Sequence, residues 1–175
     1  MTDLAPTDVK NLDQYGNDVL QWTRVHDLLA AGPSQPGVSC FLGTTRPDGR
    51  PHSAPVGPLW MDGDLLLVSG PATRKSQNLA GNPACTFSIG LEGIDVVLNG
   101  VATRITDSPT LEDAARLYRE VGGWPAEVEG DAFTAPFSAP SAGPPPWHLY
   151  RFTFHTAVAV ATAEPDGATR WRFDR

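Results

Sequence analysis

The chain has 175 residues, 41% hydrophobic and 19% charged, which predicts one domain with its own core and excludes a disordered polymer. Twenty acidic residues against 13 basic give a formal charge of -7, so general binding to nucleic acid or to an anionic membrane, both of which want a basic face, is not expected. Cys40 and Cys85 lie far apart in no metal or disulfide pattern, the stretch Met1-Thr2-Asp3-Leu4 lacks the basic and apolar regions of a signal peptide, and no run of about 18 apolar residues occurs, so a cytoplasmic protein without a metal site is expected.

Residues 1–16 are polar and without period, which predicts a flexible N-terminal arm ahead of a single domain over 17–175. Val19, Leu20, Trp22, Val25, Leu28 and Leu29 are spaced for an amphipathic helix over 18–31, with Asn17 or Asp18 as cap and Gly32-Pro33 as stop. The period then changes to that of strands. Val38 to Thr45, residues 51–60 and Leu65 to Ser69 form a meander joined by the turns Pro47-Asp48-Gly49-Arg50 and Met61-Asp62-Gly63-Asp64.

A short helix follows over Thr73 to Gly81, then two strands, Ala84 to Leu91 and Ile94 to Thr106, around Glu92-Gly93. Gly100 in the second marks a bulge or a close backbone approach. Ser108-Pro109 opens a third helix that Gly122-Gly123 ends. Residues 123–146 hold six prolines and read as a long ordered loop or lid, which Trp124 and Trp147 either pin to the barrel or use to line a pocket. Strands at 147–163 and 168–173 close the chain. Many short strands, few helices and no βαβ alternation predict a mainly β protein, a small antiparallel barrel.

The stretch Ser69-Gly70-Pro71-Ala72-Thr73-Arg74-Lys75-Ser76-Gln77-Asn78-Leu79 carries the chemistry. Lys75 is one of only two lysines, and it stands with Arg74 in the first turn of a helix, where cations oppose the dipole unless an anion sits on them. Free N–H groups, a threonine hydroxyl, a guanidinium fork and an ammonium suit a phosphate; a solvated Arg-Lys pair on a surface helix is the competing reading.

In order and spacing, Pro47-Asp48-Gly49-Arg50-Pro51, Trp60-Met61-Asp62-Gly63, Thr73-Arg74-Lys75-x-x-Asn78-Leu79-x-x-Asn82-Pro83, Val96-Val97-Leu98-Asn99-Gly100-x-Ala102 and Thr169-Arg170-Trp171-Arg172-Phe173 resemble the pyridoxamine 5'-phosphate oxidase-like split-barrel family, which includes flavin- and deazaflavin-dependent reductases. The resemblance implies a six-stranded antiparallel split barrel of the FMN-binding type that pairs as a homodimer, with FMN or coenzyme F420 in each of two clefts between protomers. It implies that Thr73, Arg74 and Lys75 hold the cofactor phosphate, with Asn78 in support. The strand His52, Ser53, Ala54, Pro55, Val56 would lie along the ring system, and Ser69 and Gly70 would flank the ribityl chain. Trp171 would cover the ring from the partner subunit, or pack in the core or at an interface.

Two departures narrow the resemblance. Pro55 and Pro58 interrupt the second strand, and Arg170-Trp171-Arg172 is not the Arg-x-His pattern that binds a substrate phosphate, so pyridoxamine phosphate is not the expected substrate. The expected function is an FMN- or F420-dependent oxidoreductase acting on a small organic molecule under the 123–146 lid. The alternative is a non-catalytic split-barrel protein that binds a flavin, haem or another planar ligand.

Overall fold

The computed structural model describes residues 4–33 and 37–175. Residues 1–3 of the expected arm, and with them most of the N-terminus read for a signal peptide, lie outside the described residues. The chain runs β1 (Asp8–Asn11), α1 (Trp22–Ala31), β2 (Ser39–Thr45), β3 (Pro51–Pro55), β4 (Leu59–Met61) and β5 (Asp64–Ser69). It continues α2 (Arg74–Gly81), β6 (Ala84–Leu91), β7 (Ile94–Ile105), α3 (Ser108–Glu120), β8 (Glu127–Glu129), β9 (Ala132–Thr134), β10 (His148–Ala161) and β11 (Ala168–Arg172).

The mainly β, antiparallel architecture is present, but not as a ring of six strands. Nine strands form one sheet in the order β1-β11-β10-β7-β6-β2-β3, with β5 joined to β10 and β4 to β5, and this sheet does not close on itself. The fork lies on β10. One of its edges pairs with β7 from end to end, while the other is shared: β5 takes residues 148–152 and β11 takes 156–160. His155 sits between these stretches, where the β7 register slips at Phe154/Thr156, and the bulge lets one strand serve two directions.

Side chains alternate as the pleat requires. Cys85, Phe87, Ile89 and Leu91 of β6 face inward with Val96, Leu98 and Ala102 of β7, and they meet Phe152 and Phe154 in the barrel core. A second core lies behind β5, where Leu66 packs with Leu111, Ala114, Ala115, Tyr118 and Phe133. Since Leu65 and Leu67 belong to the first core, β5 is buried on both faces, which is why its sequence is a continuous apolar run.

Four boundaries differ from the sequence reading, each for a physical reason. The arm expected to be loose is a strand at residues 8–11, paired to β11 in register Asp8↔Arg172 and held by an Asp8–Arg170 ion pair of 3.0 Å. Helix α1 starts at Trp22, not 18, because the Leu20 N–H is donated to Thr169 Oγ1 (2.8 Å) and Asn17 is bound to Asp13 rather than capping. The 51–60 strand splits into β3 and β4, as Pro55 and Pro58 dictate. The 123–146 segment contains the β8–β9 hairpin, and Phe133 and Trp147 exchange backbone hydrogen bonds of 2.8 and 2.9 Å that fasten it to the start of β10.

Candidate functional site

Helix α2 begins where β5 ends, and a knot of hydroxyls makes the turn. Thr73 is its N-cap: Thr73 Oγ1 donates to the Gly70 carbonyl (2.8 Å) and accepts from the Ser76 N–H (3.4 Å). Ser69 Oγ lies 2.8 Å from both Thr73 Oγ1 and Ser76 Oγ. Ser69 is 1% exposed, and the Ala142 carbonyl packs so closely on Gly70 that a Cβ there would lie 2.2 Å from its oxygen. These hydroxyls build the turn, and residue 142 covers the strip that the resemblance gives to a ribityl chain.

Asn78, also 1% exposed, does not reach the surface. Its Nδ2 donates to Thr44 Oγ1 (2.9 Å), which stands 3.4 Å from His52 Nδ1. Asn78 thus ties α2 to β2 and β3, and its Oδ1 is buried with no hydrogen-bond partner. Trp171 is 1% exposed inside the barrel with its ring centroid 5.5 Å from that of Trp22, so of the two readings its place in the core holds and it is not brought to the site.

The cations do gather. The charges of Arg46, Arg74 and Lys75 all act on His52 and, together with burial, hold its imidazole below the usual histidine range; burial is the largest cause. Lys75 is half-buried, and the loss of hydration pulls its ammonium below the usual lysine range. Among the described residues no carboxylate lies within 4 Å of Arg46, Arg74 or Lys75, although Arg50, Arg104, Arg116, Arg151, Arg170 and Arg175 each have one. In a protein of net charge -7 these three cations therefore share a corner that holds no ion pair among the described residues. That donor set fits a phosphate dianion.

Strand β3 ends the sheet beside this corner. Its register, Leu42↔Ala54 and Thr44↔His52, with Val56 N–H donating to the Cys40 carbonyl (3.0 Å), turns the backbone groups of residues 52, 54 and 56 toward β2. Those of residues 51, 53 and 55 face the open edge, and since two of these are prolines, Ser53 supplies the one outward N–H of this strand.

Two hollows flank the corner. A cavity of about 310 Å³ lies between Pro55, Val56, Leu67 and Lys75 on one side and Ala139, Ser141 and Ala142 on the other. A groove of about 580 Å³ runs over the outer sheet face past His52, Ser53, Thr86, Ser88 and Asn99. The structure thus joins Pro55, Val56 and Lys75 in one cavity, and His52 and Ser53 in the groove; Ala54 lies between, on β3. Thr44 is the contact that the sequence does not signal, whereas residues 139–142 belong to the 123–146 segment expected as a lid. His148 and His155 join no cluster able to hold a metal, and none exists among the described residues.

An open antiparallel split barrel with an uncompensated cationic turn beside a free sheet edge is the class these features define. The chain belongs to the pyridoxamine 5'-phosphate oxidase family, whose model matches residues 35–157. Similar in fold is a pyridoxamine 5'-phosphate oxidase-related, FMN-binding protein from Nostoc punctiforme, at 17% identity over 90% of this chain and 93% of that one, TM-score 0.58. So are an F420 reductase (19%, 75% and 94%, TM-score 0.51) and a FAD-binding protein from Mesorhizobium loti (17%, 93% and 97%, TM-score 0.52). A comparison with curated protein sequences finds no match. No described helix is long and apolar enough to cross a membrane.

Proposed function

We propose that the protein is a flavin- or deazaflavin-dependent oxidoreductase that holds FMN or coenzyme F420 by its phosphate and acts on a small organic substrate. The observation that carries this is the corner of Arg46, Arg74 and Lys75 around His52, left without a carboxylate among the described residues of an acidic protein. Either cofactor supplies hydride chemistry when bound, so the protein's work is anchoring, orientation and exclusion of water. Lys75 and Arg74 supply the charge-assisted hydrogen bonds, and Thr73 and Ser76 fix the turn that aims them. Ser53 offers its N–H at the β3 edge to the polar rim of a planar ring. The names of the FMN-binding and F420-reductase relatives agree with this reading.

Two copies pairing through the outer sheet face complete the site in this proposal. Phe41, Val97 and Val101 are 43%, 38% and 38% exposed there, and Phe41, Ser88 and Val97 stand in one cross-strand row. The groove along His52 and Thr86 is then walled by the second protomer.

Titration with FMN, coenzyme F420 and riboflavin tests the anchor. Saturable binding of one phosphorylated cofactor is expected, with Lys75→Ala weakening it about 10- to 100-fold, the worth of one charge-assisted hydrogen bond, and riboflavin binding weakly to both proteins. Indifference to both phosphorylated cofactors overturns the proposal. Tight binding with no electron transfer to any acceptor would leave the non-catalytic planar-ligand reading in its place.

A further inference from the structure

Beside the Lys75 cavity lies another of about 320 Å³, and the two share Gly57, Val68, Ala139 and Ala142 as common wall and roof. Its remaining lining is mainly aromatic and aliphatic: Tyr118 of α3, Trp124, Trp147 and Leu59, with no charged side chain. The rings brace one another, with centroids of Trp124 at 5.5 Å from Trp147 and 5.6 Å from Tyr118, both edge to face.

Every side-chain donor on this wall already gives a hydrogen to a backbone carbonyl. Tyr118 OH donates to Leu66 (3.3 Å), Trp124 Nε1 to Phe137 (2.7 Å), Trp147 Nε1 to Gly143 (3.2 Å) and Ser138 Oγ to Ala139 (3.3 Å). The two indoles both pin the 137–143 segment and line the pocket beneath it. A ligand anion or acceptor would lose its water here and find no free side-chain donor, whereas an apolar ring would lose little. The volume lies at the small end of the range for small-molecule sites, about 300–1,000 Å³.

We infer that this cavity receives the uncharged, apolar ring portion of the substrate, one or two fused rings in size, at a place continuous with the Lys75 anchor. The word substrate rests on the cofactor reading above; the binding preference rests on the cavity alone. Carboxylated or phosphorylated rings are excluded because no cation reaches this chamber, while the neighbouring cationic corner is reserved for the anchored phosphate.

Isothermal titration of the full chain with indole, and with indole-3-carboxylate as its charged counterpart, tests this without any turnover. Indole is expected to bind with a dissociation constant below about 1 mM, and the carboxylate at least about tenfold more weakly, the cost of burying an unpaired charge. Ala139→Trp, at an exposed roof position, fills the chamber and is expected to weaken indole binding about tenfold or more. Val68→Phe fills it from the strand side and keeps the test decisive if the first variant does not fold, folding being checked by circular dichroism. Equal affinity for the two probes, no binding of indole, or binding untouched by both fillings overturns the inference. The same samples titrated with FMN separate the two ideas: indole binding without cofactor binding sinks the cofactor reading alone, and the reverse sinks this one alone.

Discussion

Lys75 is buried enough to lose protons more readily than a free lysine, and a phosphate dianion beside it would reverse that shift. Binding must then take up protons, so affinity declines as pH rises from the depressed value toward and past the ordinary 10.5. Comparing FMN with riboflavin between about pH 8 and 11 cancels the ring's own ionisation, and Lys75→Arg is expected to flatten the difference because a guanidinium stays charged there. Thr44 belongs to the same scale. Thr44→Val strips Asn78 Nδ2 of its acceptor while Asn78 Oδ1 already lacks a partner, so a loss of about 1–3 kcal/mol is expected by denaturant unfolding. That Arg74 and Lys75 stand together at the start of a helix was legible from the Gly-Pro turn and the Thr cap before them. Asn78 and Trp171 were not: one-dimensional spacing places a residue on an element but does not say that the element turns it 99% inward.

Glycine marks where elements meet. In β7 a Cβ on Gly100 would lie 2.1 Å from the Thr153 carbonyl oxygen and 2.7 Å from Phe154 Cα, since the β10 bulge brings that backbone inward. Gly100→Ala is expected to lower stability by about 3 kcal/mol, read as a lower denaturant midpoint at unchanged slope. This close approach was foreseen from an isolated glycine inside an alternating run, and the Asp48-Gly49 and Asp62-Gly63 turns were equally plain, with Gly49 at φ 81° and Gly63 at φ 84°. The β8–β9 hairpin escaped notice because each arm is three residues long, too short to show a period against its prolines. The start of α1 escaped because the group that stops it, the Thr169 hydroxyl, stands 149 positions away.

For the molecule as a whole, antiparallel order followed from the short turns, but the fork on β10 did not. Nothing in this 14-residue strand announces that its two halves serve different partners on one edge. The proposed pairing of two copies belongs to this scale. Phe41→Glu places a charge in the middle of the outer face, and sedimentation is expected to show the dimer shifting toward monomer at micromolar concentration, with cofactor affinity falling in parallel. Unchanged mass together with unchanged affinity would send the proposed interface elsewhere.

The prolines at both ends of β3 have a consequence for life in a crowded solution. An unpaired terminal strand is a template on which stray extended chains can add, and repeated addition leads to aggregates. With Pro51 and Pro55 flanking Ser53, the outer side of β3 gives a newcomer one donor where three would be needed to zip a strand into place. At the opposite end of the sheet the terminal strand is β1, only four residues long and carrying the charges of Asp8 and Lys10, which likewise discourages pairing. The barrel can therefore keep one border free for a small molecule while giving a growing fibril little to hold.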